Sequence, residues 1–474
     1  MTISTAVLST YKNIDEEYVD QLLKKEIESN NKKIVVLDDD PTGVQTVHDI
    51  SVYTNWTKDS VRKGFQEKNK LFYILTNSRG FTAKQTQKAH HEIAQVIAEV
   101  SKELGKEYII ISRSDSTLRG HYPLETEVLR EELEKSTGKN MDGEVLCPFF
   151  KEGGRYTIED IHYVKDGETL IPASETEFAK DKTFGYSSSN MREYIQEKTE
   201  GRYLAEQVTC ISLKSIHEVD IDGITEQLMK VTNFNKIVVN AIDYVDIKVF
   251  CVALYRAMSK GKTFMFRTAA ALVKVLGGVT NQPLLTRKQM IVTESNHGGI
   301  VVVGSHTQKT TSQVEALRQL PGIKFIEFNS DLVLEEKEFA KEIKDTLEKE
   351  EVYIASGKTV VVYTKRKLLV VEADTKEDAL IRSVKISDAV QSLVGKLKVT
   401  PSFVIAKGGI TSSDIGTKAL AVQKANVMGQ IKPGIPVWQT GEESKFPQIP
   451  YVIFPGNVGE IATLKEAVEV LIQK

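Results

Sequence analysis

Cysteine is scarce in this chain: 3 of 474 residues, at Cys147, Cys210 and Cys251. They stand too far apart to form a zinc motif, and they read as buried apolar fillers suited to a reducing compartment. No long basic block occurs, and 62 Lys and Arg against 65 Asp and Glu leave a formal charge of −3, which argues against nucleic acid as a partner. No apolar run approaches the ~20 residues that span a bilayer. The opening MTISTAVLSTYKN lacks a basic region followed by an apolar core, so residues 1–30 read as an N-terminal extension rather than a signal peptide. The expected location is cytoplasmic. There is no low-complexity tract and no repeat at a fixed period. What is present is a globular balance, 41% hydrophobic and 27% charged, over a length that calls for two domains.

Short β-rich runs alternate with longer amphipathic stretches, the pattern of α/β folds with mainly parallel sheets. KKIVVLDDD, FYILTNSRG and YIIISRSDSTLRG are strands that each end in polar residues. In the segment 83–104 an apolar stripe of Ala89, Ile93, Val96, Ile97, Val100 and Leu104 predicts a helix, with Thr82 as N-cap and Gly105 as C-cap. The stretch from Cys147 to Lys198 has weak periodicity and reads as loop-rich. Strands are expected again at 207–213, 236–240 and near Phe264, with a helix around 249–258. Residues 281–299, with Pro283, Asn296 and Gly298–Gly299, read as a connection that holds the domain boundary. A second alternating series follows: IVVVGS, TSQVEALRQL, KFIEFN, EEKEFAKEIKDTLEKE, TVVVYT, a helix over 386–397, and SFVIAKGG leading into TSSDIGTKAL.

Open α/β sheets hold ligands at the carboxyl ends of their strands. Asp39, Asp40, Arg79, Asp115 and Arg119 all sit at such ends and are expected to meet in one crevice. Three adjacent carboxylates, Asp38–Asp39–Asp40, need solvent, cations or donors, and a sugar's hydroxyls or a magnesium ion would serve; a solvated loop or helix cap is the alternative. The planar fork of Arg79 suits a carboxylate and makes it an anchor for an acidic substrate. Ser114, Asp115, Ser116 and Thr117 place hydroxyl and carboxylate groups in a row, followed by Arg119 and Gly120. In the second series Gly304–Ser305, the run Gly408, Gly409, Ile410, Thr411 and Ser412, and Pro455–Gly456–Asn457 each follow a strand. Glycines followed by hydroxyls at a helix start form an anion site, and three such turns favour a phosphate-bearing ligand.

Other motifs are set aside. Ser356–Gly357–Lys358–Thr359 and Gly261–Lys262–Thr263 contain GKT but lack the earlier glycine of a P-loop. His91–Glu92 opens like a zinc-protease motif, but Gln95 stands where the second histidine belongs.

At these residues the sequence resembles the four-carbon acid sugar kinase family, from about Lys32 to the end. Asp39–Asp40–Pro41–Thr42–Gly43 matches its DDxTG motif, Ser78–Arg79 its arginine-bearing strand end, and Asp115 to Gly120 its DSTLRG. Gly154–Arg155, Tyr163–Val164 and SETEFAKD also fit. In the second half Gly304–Ser305 with Thr310 and Gln313, Gly408 to Ser412, Pro433 to Pro436 and Gly456 to Gly459 resemble the nucleotide-domain motifs. Phe454–Pro455 stand where the family usually has lysine and serine.

The resemblance implies two α/β domains, 31–285 for the sugar acid and 286–474 for the nucleotide, with the active site in the cleft between them. It implies transfer of the ATP γ-phosphate to the terminal hydroxyl of threonate, erythronate or an oxo-tetronate, with ATP and Mg2+ as cofactors. Asp39, Arg79, Ser114, Ser116, Thr117 and Arg119 would bind substrate, with Asp40 or Asp115 as base. Ser305, Gly408, Gly409, Ile410, Thr411, Ser412 and Gly456 would bind the nucleotide. Magnesium is assigned no protein ligand. A homodimer is compatible with this role, and no sequence feature shows one. An aldolase or isomerase that uses no ATP, and a non-catalytic sugar-acid-binding protein, are the rival readings.

Overall fold

The structure, a computed structural model, describes residues 1–367, 369–371, 375–456 and 458–473. The chain forms two units: Met1–Gly43 with Asn55–Asn281, and Val44–Thr54 with Gln282–Lys474. The expected division, with residues 1–30 set apart and a first domain unbroken from 31 to 285, differs from the fold: 1–30 belong to the first unit, and Val44–Thr54 and 282–285 to the second.

The first unit is built on seven parallel strands. Their order across the sheet is Thr209–Ile211, Asn235–Val239, Gly143–Cys147, Phe264–Thr268, Tyr108–Arg113, Lys33–Asp38 and Leu71–Leu75. Buried on both faces, they read as continuous apolar runs such as IVVL and IIIS. Lys33–Asp38 comes first in sequence and is flanked by Leu71–Leu75 on one side and Tyr108–Arg113 on the other. The order reverses there, which makes the carboxyl ends of Lys33–Asp38 and Tyr108–Arg113 the switch point where such sheets bind ligands. The helix Ala83–Leu104 has the predicted bounds, with a Thr82–Gln85 capping box and Gly105 at φ +62°.

The loop-rich expectation for the middle region is corrected by an antiparallel sheet of Ile3–Ser4, Thr169–Pro172, Ile161–Asp166 and Arg155–Ile158. One of its two-residue turns, Glu159–Asp160, has both residues at positive φ, 48° and 64°, with Ile158 paired to Ile161. Such turns usually carry Asn-Gly. Here the conformation is held from outside, since the Asn240 amide accepts from the Asp160 backbone N–H (2.7 Å) and donates to its carboxylate (2.8 Å). The N-terminal extension is part of this unit: Ile3–Ser4 joins the sheet, and helix Glu16–Ser29 packs on helix Tyr244–Ser259, where Lys248 pairs with Glu16 and Asp20.

Among the described residues the second unit has eight strands, in the order Lys324–Phe328, Val360–Thr364, Ile300–Val303, Val404–Lys407, Pro450–Phe454, Ile435–Thr440, Lys424–Lys432 and Ile50–Tyr53. The first five are parallel and the rest antiparallel. Here the first parallel strand in sequence, Ile300–Val303, lies between Val360–Thr364 and Val404–Lys407, so a second switch point opens beside Gly304 and Gly408. The helices Gln308–Leu317 and Thr463–Ile472 pack on each other and close a core that includes Val301, Val314, Ile405 and Val452.

Candidate active site

In the first unit the acids and arginines of the switch point interlock. Arg113 donates to Asp38 (2.9 Å) and Asp39 (3.3 Å). Arg79 donates to both oxygens of Asp39 (2.8 and 3.2 Å) and to Asp40 (3.3 Å). The sequence gives Arg79 a carboxylate to hold, and in the structure that carboxylate is Asp39's own. Arg119 donates through Nε to Asp115 Oδ2 (2.7 Å), which also accepts from the Thr117 hydroxyl. Arg267 pairs with buried Glu125, which takes a further bond from Ser78 (2.6 Å).

These contacts divide the carboxylates. Burial pushes the Asp38 carboxyl up to about 7 against the pull of Arg113. Burial likewise raises Asp39, with Arg79 and Arg113 opposing. At Asp40 burial is outweighed by Arg79 and by hydrogen bonds from Thr42, including its backbone N–H (2.8 Å), and the group lies below the usual carboxylate range. At Asp115 burial is outweighed by Arg119, Arg79 and Thr117, and the group lies far below that range. Asp40 and Asp115 are thus ionised at neutral pH, as is Glu125, which Arg267, His90 and Ser78 lower to about 2 against burial. Among the described residues Asp115 Oδ1 accepts no hydrogen bond, and the Ser114 and Ser116 side chains make none.

The loop of Ser114 to Arg119 is fixed from beneath by residues that the sequence did not single out. His162 Nε2 bonds the Ser116 carbonyl (2.8 Å), Tyr186 donates to the Thr117 carbonyl (2.9 Å) and Tyr194 to that of Leu118 (2.9 Å). Leu118 is thereby held at φ +68°. Burial lowers His162 to about 4, which keeps it neutral. Gly120, at φ +123°, leaves room for Arg267: a Cβ there would lie 2.6 Å from its Nη2.

In the second unit the turns predicted from sequence do converge. Gly304, Ser305, Gly408, Gly409, Ile410, Thr411 and Gly456 all line one cavity of about 470 Å3, joined by His306, Arg382, Ser383, Ile386, Ser387 and Val390. Gly408 adopts φ 120° and ψ 144°, where a side chain is strained, and its N–H is bonded to the Phe454 carbonyl (2.9 Å). Thr310 donates to Ser305 Oγ (3.1 Å) and to the Gly456 carbonyl (3.3 Å), and Gln313 to the Val458 and Glu460 carbonyls (3.3 and 2.9 Å). Ser412 turns inward, donating to the Ala406 carbonyl (2.9 Å), so it braces the turn from within. Buried Lys407 donates to the Pro455 carbonyl (2.7 Å) and is lowered to about 7 by burial and by Lys309. Ile410 is 72% exposed, an apolar surface at the cavity rim. Asn457, part of the closing motif, lies outside the described residues. Both GKT runs lead into the amino ends of strands, opposite the switch points.

Two domain families match. A sugar-binding N-terminal domain covers residues 34–276, and a nucleotide-binding C-terminal domain covers 300–464. This chain belongs to the four-carbon acid sugar kinase family. The family's two domains thus correspond to the two switch-point sites. No curated protein matches the chain. Among solved structures, a Haemophilus influenzae protein of the DUF1537 family aligns with TM-score 0.61 at 17% identity, over 92% of this chain and 100% of its own. A Salmonella typhimurium LT2 protein described as a putative tRNA synthase aligns with TM-score 0.64 at 15% identity, over 92% and 98%. At such identities these likenesses speak for the fold. Among the described residues no helix is long and apolar enough to cross a membrane, and no group of three or more His, Cys, Asp or Glu is disposed to hold a metal ion.

Proposed function

We propose that this chain transfers the γ-phosphate of ATP to the terminal hydroxyl of a four-carbon sugar acid: threonate, erythronate or an oxo-tetronate. The observation that carries the reading is Asp115, ionised, held through one oxygen by Arg119 and Thr117, with the other oxygen open at the switch point of the sugar-binding unit. Phosphoryl transfer needs positioning and charge neutralisation more than covalent chemistry. In this mechanism the terminal hydroxyl attacks the γ-phosphorus, the bond to the bridging β–γ oxygen breaks, and ADP leaves. The hydroxyl proton passes to the open Oδ1 of Asp115. Asp40, fixed by Thr42 and Arg79, is a second ionised acceptor. Ser114, Ser116 and Thr117 hold substrate hydroxyls, and Asp39 and Arg79 set the depth of the site as an internal pair.

In the nucleotide unit the backbone N–H groups of Gly409, Ile410 and Thr411 cradle phosphates, while Gly408, its own N–H held by the Phe454 carbonyl, sets the turn; Ser305 and Gly456 line the same cavity and Ser412 is the brace. The exposed face of Ile410 suits an adenine ring. Magnesium, if supplied with the nucleotide, would offset phosphate charge, and no protein side chain is assigned to it.

The test is ADP release from MgATP against threonates, erythronates and their 2-oxo and 3-oxo forms. Release stimulated by one acid is the expected result. Silence across the panel, together with no ATP-induced rise in melting temperature, would refute the reading.

A further inference from the structure

Five arginines surround the acids of the sugar-binding unit, and four have carboxylate partners: Arg79, Arg113, Arg119 and Arg267. The fifth, Arg155, has none within ion-pair distance among the described residues. It is 8% exposed, its Nη1 donates to the Gly153 carbonyl, and its Nε has no hydrogen-bond partner. No bond to its Nη2 is found among the described residues either, which leaves the whole Nε–Nη2 edge open. That edge is the one that binds a carboxylate side-on with two parallel hydrogen bonds.

Its place is fixed by the antiparallel sheet. Arg155 starts the strand Arg155–Ile158, and its guanidinium packs over the Phe178 ring (5.4 Å), the same ring that carries Arg119 (5.1 Å). Arg119 grips Asp115, so Arg155 lies beside the loop of the proposed base. Burial lowers Arg155 to about 10, and Asp115 opposes that shift across the site. A buried cation without a counter-ion is a standing cost to the fold, recovered when an anion arrives.

We infer that Arg155 is the carboxylate anchor of the substrate, gripping the acid end through its Nε–Nη2 edge while the terminal hydroxyl faces Asp115. The inference rests on the sugar-acid reading above. It moves the anchoring role from Arg79, whose fork is filled by Asp39, to the one guanidinium of the five that has no carboxylate partner among the described residues. Arg155 thereby becomes the residue that makes the site select acids over neutral polyols.

The experiment is calorimetric titration of the full chain and of Arg155→Gln and Arg155→Lys with threonate and erythronate, and with the uncharged threitol and erythritol. Near-ultraviolet circular dichroism checks that the variants are folded. The wild type should bind one acid more tightly than its polyol. Arg155→Gln should weaken that acid about 10- to 100-fold, as for loss of a charge-assisted pair, and leave polyol affinity unchanged. Arg155→Lys, which keeps the charge and loses the fork, should fall between and serves as the test if the Gln variant does not fold. Unchanged acid affinity in the variants overturns the anchor and leaves the kinase reading intact. Equal loss of acid and polyol overturns it too, because Arg155 would then only support the fold. A wild type that binds no acid and releases no ADP with any defeats the sugar-acid reading, and the anchor with it.

Discussion

Replacing Gly408 with alanine tests the phosphate turn whose backbone conformation this glycine sets. Gly408 sits at φ 120°, and a Cβ would meet Ser305 Cβ at 3.2 Å and Thr411 Oγ1 at 3.4 Å. An L-residue held in such a conformation costs about 1–3 kcal/mol. In the ligand-free variant the turn can relax and shed that strain. Nucleotide binding then has to restore it, so the whole cost falls on affinity, about 5- to 150-fold in the ATP dissociation constant. Titration calorimetry with ATP measures it, and the ATP-induced rise in melting temperature should shrink in parallel. Gly322→Ala is the control: it too has positive φ, 82°, in the same unit, but nothing lies within 4 Å of its added Cβ. It should lower stability and leave ATP affinity alone. An ATP affinity in Gly408→Ala within twofold of wild type would sink the cradle assignment.

Two further outcomes are expected from the acids of the first unit. Asp115→Asn should reduce kcat by about 10²- to 10⁴-fold with a smaller change in KM, and Asp40→Asn should reduce it less; steady-state kinetics showing the reverse order would exchange their roles. Asp38 should make stability fall as pH rises. Its folded-state value, about 7, lies above that of an unfolded aspartate, so between about 4 and 7 the unfolded chain has lost a proton that the fold retains. Urea unfolding across that window should show the decline in the wild type and a flatter profile in Asp38→Asn; identical slopes would mean that Asp38 is ionised in the fold.

The parts of this fold that could be read in the sequence are those with local causes. The helix Ala83–Leu104 declares itself through one apolar stripe, a threonine cap and a terminal glycine. The strand ends bearing Asp39, Asp40, Asp115 and Gly408 are legible because buried parallel strands are apolar until they reach the ligand edge. The first turn of the antiparallel sheet, Glu159–Asp160, was not legible, because it lacks the usual glycine and is held by Asn240, eighty residues away; the next, Gly167–Glu168, does carry one. The spacing marks Arg79 as a partner for a carboxylate but cannot reveal that Asp39 lies against its fork. Arg155 became a candidate only once its neighbours' pairings were known. His162, Tyr186 and Tyr194 act through long-range bonds to carbonyls, which leave no mark on a local pattern.

The strand Ile50–Tyr53 pairs with Ala425–Val427 and Lys424 near the far end of the chain. During synthesis it emerges before its partner, which is made on the order of tens of seconds later at ordinary elongation rates. Until then it is an apolar segment without a sheet, while residues 55–281 can already fold around their own strands. A fragment beginning at Gln282 would carry the opposite defect: the edge of Lys424–Lys432 would stand open to any passing strand. The second unit is therefore not a separable module, and dissecting this protein by cutting between its two family domains would remove a strand from the nucleotide-binding sheet.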